Sequence, residues 1–237
     1  MKRFIATACL ILSFTVQAKT ENQQPKTKPS GAAISSAHFL ATQAGHEILA
    51  KGGNAFDAAI AVSSVLSVVE PVSSGIGGGG FFLLHDAKTG RDVMIDARET
   101  APASATPAAY LDAKGELDRD KAENGPMSAG IPGLPAGLVH LSKRYGRLPL
   151  SVSLAPAIRI ARNGFEVYPR IAIQYADRKD VMERYDGSRK VFLADGDGLE
   201  VGETLLQPDL AHTLELLAAK GNEGFYRGET AQKMLSD

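Results

Sequence analysis

One arginine and one run of glycines carry the sharpest chemical meaning in this chain. Arg98 lies in Asp96–Pro102, DARETAP. A guanidinium stays charged at any working pH and offers a planar fork that matches a carboxylate. The residues before it, MID, read as the end of a strand, and Pro102 then forces an irregular path. Upstream stands Val69–Gly80, VEPVSSGIGGGG, with glycine at five of the six positions from Gly75 to Gly80. Glycine reaches backbone angles that a β-carbon forbids and lets another backbone or a ligand come close. An arginine at a strand end beside a glycine-lined cavity is placed to hold the α-carboxylate of a small substrate. The competing reading is a salt bridge from Arg98 to Glu99 or Asp96. On the residues alone, both stand.

Other chemistries are poorly supported. A dinucleotide site needs strand, glycine turn and helix in that order. Here an apolar helix precedes the glycines and a buried-looking strand, FFLLH, follows them. No helix N-terminus is therefore offered to a phosphate. His38, His46, His85, His140 and His212 are scattered and lack metal-ligand spacing. The run DGDG at Asp195–Gly198 lacks the further acidic positions of a calcium loop and reads as a polar turn. Ser73 and Ser74 adjoin the glycines without the G-x-S-x-G elbow of a serine nucleophile. No base or nucleophile stands out, so the local chemistry is a recognition arginine on a shaped backbone. The spacing of these residues offers no metal site.

These residues need elements to position them. Ser35 or Ser36 is a candidate cap for a helix over His38–Lys51, which Gly52-Gly53 ends. Asn54 caps a second helix, Ala55–Val69, apolar nearly all round and therefore buried, with Pro71 as its stop. Phe81–His85 and Asp92–Asp96 read as strands joined by a hairpin turn at Ala87–Gly90. Ala103–Asn124 is a polar surface excursion. Helices are expected at Ala136–Tyr145, Ser151–Asn163 and Asp209–Lys220, and an exposed one at Pro169–Arg184. Glu183–Glu203 reads as loop-rich, and Thr230–Asp237 begins a further helix. Residues 31–237 read as one unfinished domain.

The ends and the composition set the context. Lys2 and Arg3, the apolar run Phe4–Val16 and the small-residue site Val16-Gln17-Ala18 make residues 1–18 a signal peptide cleaved near Ala18. Residues 19–30, polar and carrying two prolines, form a flexible leader. The single cysteine, Cys9, falls inside the signal. The mature chain then has no thiol and tolerates an oxidising compartment, which places it in the periplasm or outside the cell. A formal net charge of −1 with no long run of one sign argues against a nucleic-acid surface or an electrostatic membrane anchor. The apolar run is too short for stable membrane insertion. Apolar residues make up 44% of the chain and tryptophan is absent, so the core rests on Ala, Val, Leu and Ile.

The motifs also point outward. AGHEILAKGGNAFDAAIAVSSVLSVVEPVSSGIGGGGF followed by DARETAP resembles the N-terminal part of the large subunit of γ-glutamyltransferases, or glutathione hydrolases. So do GIPGLPAGLVHLSKRYGRLP, LAPAIRIARNGF and LAHTLELLAAKGNEGFYRG, in fixed order from about Ile34 onward. The resemblance implies a four-layer αββα fold of the N-terminal-nucleophile hydrolase type, incomplete in this chain. It implies a precursor that cuts itself and frees a threonine at the start of a small subunit. That hydroxyl attacks a γ-glutamyl amide, and water, an amino acid or a peptide takes the acyl group. Glutathione or another γ-glutamyl compound is the implied donor, and the resemblance implies no metal and no organic cofactor. The family's arginine for the donor α-carboxylate carries over to Arg98. The family's T-T-H-type motif is absent here, so no catalytic residue is assigned and the nucleophilic threonine is expected beyond Asp237. The other readings are an acylase or transpeptidase on the same scaffold, or an inactive truncated remnant.

Overall fold

The structure, a computed structural model, describes residues 31–193 and 198–236. The expected signal, the leader and most of the DGDG turn lie outside the described residues. The described chain from Ile34 onward forms one unit.

Helix α1 (Phe39–Ala50) is followed by α2 (Ala55–Val69). Neither candidate serine caps α1. His38 does, its Nδ1 accepting from Leu40 N–H at 3.2 Å, while Ser36 binds the His38 carbonyl and the Thr42 hydroxyl. Small residues let the two helices approach closely. A β-carbon on Gly45 would sit 2.8 Å from Val62 Cγ2 and 2.6 Å from Ile34 Cδ1. Asn54 caps α2 as expected, accepting from Phe56 and Asp57 N–H. Asp57 returns a bond to Asn54 N–H and closes a capping box.

Helix α2 is the centre of the core and packs on α1, α4 (Leu134–Tyr145) and α5 (Leu150–Asn163). Ile60, Val65 and Val68 are fully buried, each worth roughly 1.5–3 kcal/mol of transfer free energy. Helix α8 (Pro208–Lys220) lies on α5, and α9 (Asn222–Tyr226) and α10 (Gly228–Ser236) follow it. The expected exposed helix is α6 (Pro169–Met182), but it has a buried face at Ile171 and Tyr175. The loop-rich segment after it contains α7 (Asp186–Phe192). The polar excursion is exposed, with a short α3 (Arg119–Glu123) held to Arg184 through Asp120 at 2.7 Å.

Strands β1 (Gly80–Asp86) and β2 (Arg91–Ala97) form an antiparallel hairpin, Phe81 opposite Asp96 and Leu83 opposite Met94. Asp86 closes the turn by accepting from Lys88 N–H and Thr89 O–H, and Gly90 takes a φ of 66°. A second pair, β3 (Phe165–Glu166) with β4 (Thr204–Leu205), is two residues long. The hairpin's inner face, with Phe82 and Ala97, meets Gly137 of α4. The outer face corrects the reading of FFLLH as a buried strand: Phe81, Leu83 and Met94 are 57%, 78% and 61% exposed. Nothing among the described residues covers it. The architecture is mixed helix and sheet, a partial fold. No described helix is long and apolar enough to cross a membrane.

Candidate functional site

The glycine run, the end of β2 and the start of α4 meet around a cleft of about 620 Å³. Its walls come from Pro71–Ser74, the glycines, Phe81, Arg98, Glu99 and Leu134. Two glycines lie directly against the backbone at Ala97 and Arg98. A β-carbon on Gly79 would lie 2.6 Å from the Ala97 carbonyl oxygen and 2.7 Å from Arg98 Cα. A β-carbon on Gly133 would collide with the carbonyl oxygens of Ala97 and Arg98 as well. The Gly78 carbonyl accepts from Gly133 and Leu134 N–H at 3.0 and 3.1 Å, joining the run to the first turn of α4. Thr100 and Ile131 exchange backbone bonds at 3.1 and 2.8 Å. The strand end is therefore clamped, and Arg98 projects from a fixed point.

The glycines work differently from the expectation based on backbone angles. None of the five from Gly75 to Gly80 adopts a left-handed φ. Gly79 is required by close approach, whereas a β-carbon on Gly77 or Gly80 would meet nothing within 4 Å. Those two positions leave open space along the cleft. Ile76, between them and the helix, is buried and anchors the run in the core.

The ion-pair reading of Arg98 has a counterpart in the geometry. Its Nη2 lies 3.2 Å from Glu99 Oε2, an ion pair without hydrogen-bond alignment, since that oxygen has no donor among the described residues. Asp96 plays another part: its carboxylate accepts from the Arg98 backbone N–H at 2.9 Å and fixes the turn out of the sheet. The guanidinium stands 6.0 Å from the centre of the Phe81 ring and is 54% exposed. Arg98 thus borders the cleft with its guanidinium half exposed and Glu99 beside it. Such a group can bind a carboxylate, with Glu99 near enough to meet an ammonium on the same ligand.

The remaining candidates do not assemble into a catalytic centre. His38 caps α1, His85 pairs with Asp92 on the open face of the hairpin, and His212 faces Glu229. No group of three His, Cys, Asp or Glu residues able to hold a metal occurs among the described residues. Ser73 and Ser74 line the cleft, their backbone N–H groups bound to the Glu70 carbonyl.

Sequence reasoning missed two buried carboxylates at the ends of α2. Asp57 is fully buried, and Asn54, Arg147 and Leu148 N–H donate to it. Glu70 caps the C-terminal end, and Tyr168 O–H donates to its Oε1 at 2.6 Å. Burial, followed by this carboxylate, pushes the Tyr168 hydroxyl well above the usual phenol value, so it stays a donor. The available signal was a charge in an otherwise apolar helix.

Comparison with known proteins finds relatives along nearly the whole described chain. Residues 41–237 match the family model described as gamma-glutamyltranspeptidase. The glutathione hydrolase proenzyme of Bacillus subtilis strain 168 is 40% identical over 206 residues, covering 86% of this chain and 35% of that protein. Among solved structures, the gamma-glutamyltranspeptidase of Helicobacter pylori is 38% identical with a TM-score of 0.84, over 90% of this chain and 61% of that one. A cephalosporin acylase from Bacillus halodurans is 34% identical with a TM-score of 0.76, over 90% of this chain and 42% of that one. The chain spans about a third of the length of the Bacillus subtilis relative. A clamped strand-end arginine, a glycine-lined cleft and a match running through nearly every described element lead to one conclusion: this chain belongs to the gamma-glutamyltranspeptidase family.

Proposed function

We propose that the chain is the N-terminal part of a γ-glutamyl-transferring enzyme and that its cleft holds the donor's α-carboxylate on Arg98. The observation that carries this reading is Arg98 itself, its backbone held close against Gly79 and Gly133 and its side chain half exposed at a cleft lined by Ser73, Ser74 and glycines. The donor is glutathione or another γ-glutamyl compound. The nucleophile is a threonine beyond Asp237, freed when the precursor is cut. Its hydroxyl adds to the γ-carbonyl and its α-amine takes the proton. The amine leaves protonated and a γ-glutamyl ester remains. Water then gives glutamate, or an amino acid or peptide amine gives a new γ-glutamyl amide.

The bare face at Phe81, Leu83 and Met94 supports a partner from the same precursor, the small subunit. Residues 1–18 act as an export signal, residues 19–30 as a leader and residues 31–237 as the large-subunit portion, which places the enzyme in the periplasm or outside the cell. A second reading, another acylase on this scaffold, draws on the cephalosporin acylase likeness. Retention of Arg98 favours a donor with a free α-carboxylate.

The test uses the precursor carried to the length of its relatives. Arg98→Lys is expected to raise KM for glutathione by at least about tenfold, because a point charge cannot replace the bidentate fork. Thermal stability should not change. An unchanged KM would remove Arg98 from the donor site.

A further inference from the structure

The side chain of Glu70 is only 3% exposed, yet its second oxygen, Oε2, has no hydrogen-bond donor among the described residues. The Arg170 guanidinium stands 4.0 Å away and is itself largely in water. Glu70 also sits at the C-terminal end of α2, where the helix dipole disfavours a negative charge. A buried carboxylate so weakly compensated contributes little to stability and can cost some.

What it does hold is the first wall of the cleft. Its own carbonyl accepts from Ser73 N–H at 2.9 Å and Ser74 N–H at 2.7 Å, which bends the chain at Pro71 and Val72. Pro71 borders the cleft and also two neighbouring cavities of about 400 and 580 Å³, so the angle of this turn sets the shape of all three. Oε1 takes the Tyr168 hydroxyl, which also lies 3.0 Å from the Val69 carbonyl. The Tyr168 ring packs 5.0 Å from the His38 ring. One hydroxyl therefore fastens the end of α2 to the start of α6, with α1 behind it.

We propose that Glu70 is a positioning residue of the cleft, fixing the Pro71–Ser74 wall opposite Arg98 through its bond to Tyr168. It touches no substrate and acts through the turn that it begins. The proposal rests on the donor-site reading for its effect on turnover, but its structural core does not.

The experiment has two parts. In the 237-residue chain, amide hydrogen exchange is followed at Ser73 and Ser74, with Arg147 and Leu148, the amides on Asp57, as internal reference. Tyr168→Phe is expected to speed exchange at the two serines about tenfold and leave the reference pair unchanged. Glu70→Ala should do the same. Glu70→Gln, which can still accept from Tyr168, should restore protection. Uniform acceleration at all four amides, or none, would overturn the proposal, because a merely stabilising contact acts globally.

In the precursor at full length, Tyr168→Phe should raise KM for glutathione about tenfold with kcat changed less than about twofold. A loosened turn with unaltered KM would also sink the positioning role. If the parent shows no turnover of glutathione, the donor reading fails instead, and the exchange at Ser73 and Ser74 decides this one.

Discussion

The two ends of α2 hold the same functional group in opposite circumstances. At the N-terminal end, Asp57 accepts three backbone N–H bonds, from Asn54, Arg147 and Leu148, beside the positive end of the helix dipole. At the C-terminal end, Glu70 accepts one side-chain bond and leaves an oxygen unpartnered, against the negative end. The first arrangement satisfies its charge and joins α2 to the α4–α5 connection. The second leaves its charge nearly bare, beside the turn that walls the cleft. Burial alone does not tell a structural carboxylate from one kept for the geometry of a site; the count of donors does.

The largest expected effect breaks the satisfied end. Asp57→Ala removes a buried acceptor from three backbone N–H donors and should cost about 3 kcal/mol in denaturant unfolding. A loss below about 1 kcal/mol would mean that water replaces the carboxylate, and the contrast would fail. Next come the loop that the other end launches and the segment before α4 that binds it through Gly133. Gly133→Ala drives a β-carbon into the Ala97 and Arg98 carbonyls and should cost about 2 kcal/mol. Gly77→Ala, with nothing within 4 Å and no left-handed φ, should be neutral or slightly stabilising. Equal losses at the two glycines would remove the distinction between clamp and open wall.

A smaller effect sharpens the Glu70 end. Burial holds the His38 imidazole below its ordinary value of 6.5, against a weaker opposing pull from Glu70. The folded chain therefore prefers the neutral ring, whose Nδ1 accepts from Leu40 N–H. That contribution is complete above pH 6.5 and is lost as the pH falls below it toward the folded value, because the unfolded chain takes the proton first. Melting curves between pH 7 and 5 should show a loss of stability that His38→Asn abolishes. An unaltered slope in that variant would free His38 from the cluster.

The sequence made α2, α5 and α8 legible because their stops are local: Asn54 before one, Gly164 and Gly221 after the others. The place of Arg98 at a strand end was legible for the same reason, since a strand followed by Pro102 is a local pattern. The roles of Asp57 and Glu70 were hidden because their partners lie 90 and 98 residues away. Helix α7 was missed because DGSRKVF carries Gly187 and three charges in seven residues. The outer face of β1 was misjudged because a continuously apolar strand signals cover on both sides. Here one side is bare. The glycine run was placed correctly, but the reason for it, a crossing with Arg98, needed the position of Gly133.

These long reaches also set an order in time. A chain made from its N-terminus receives its partners in sequence. The Gly78 carbonyl waits for Gly133 and Leu134, Asp57 for Arg147 and Leu148, and Glu70 for Tyr168. Until the tyrosine emerges from the ribosome, the Glu70 carboxylate is better kept in water. The last turn of α2 then stays open while its first turn is already locked, and the mouth of the cleft closes only when α6 arrives.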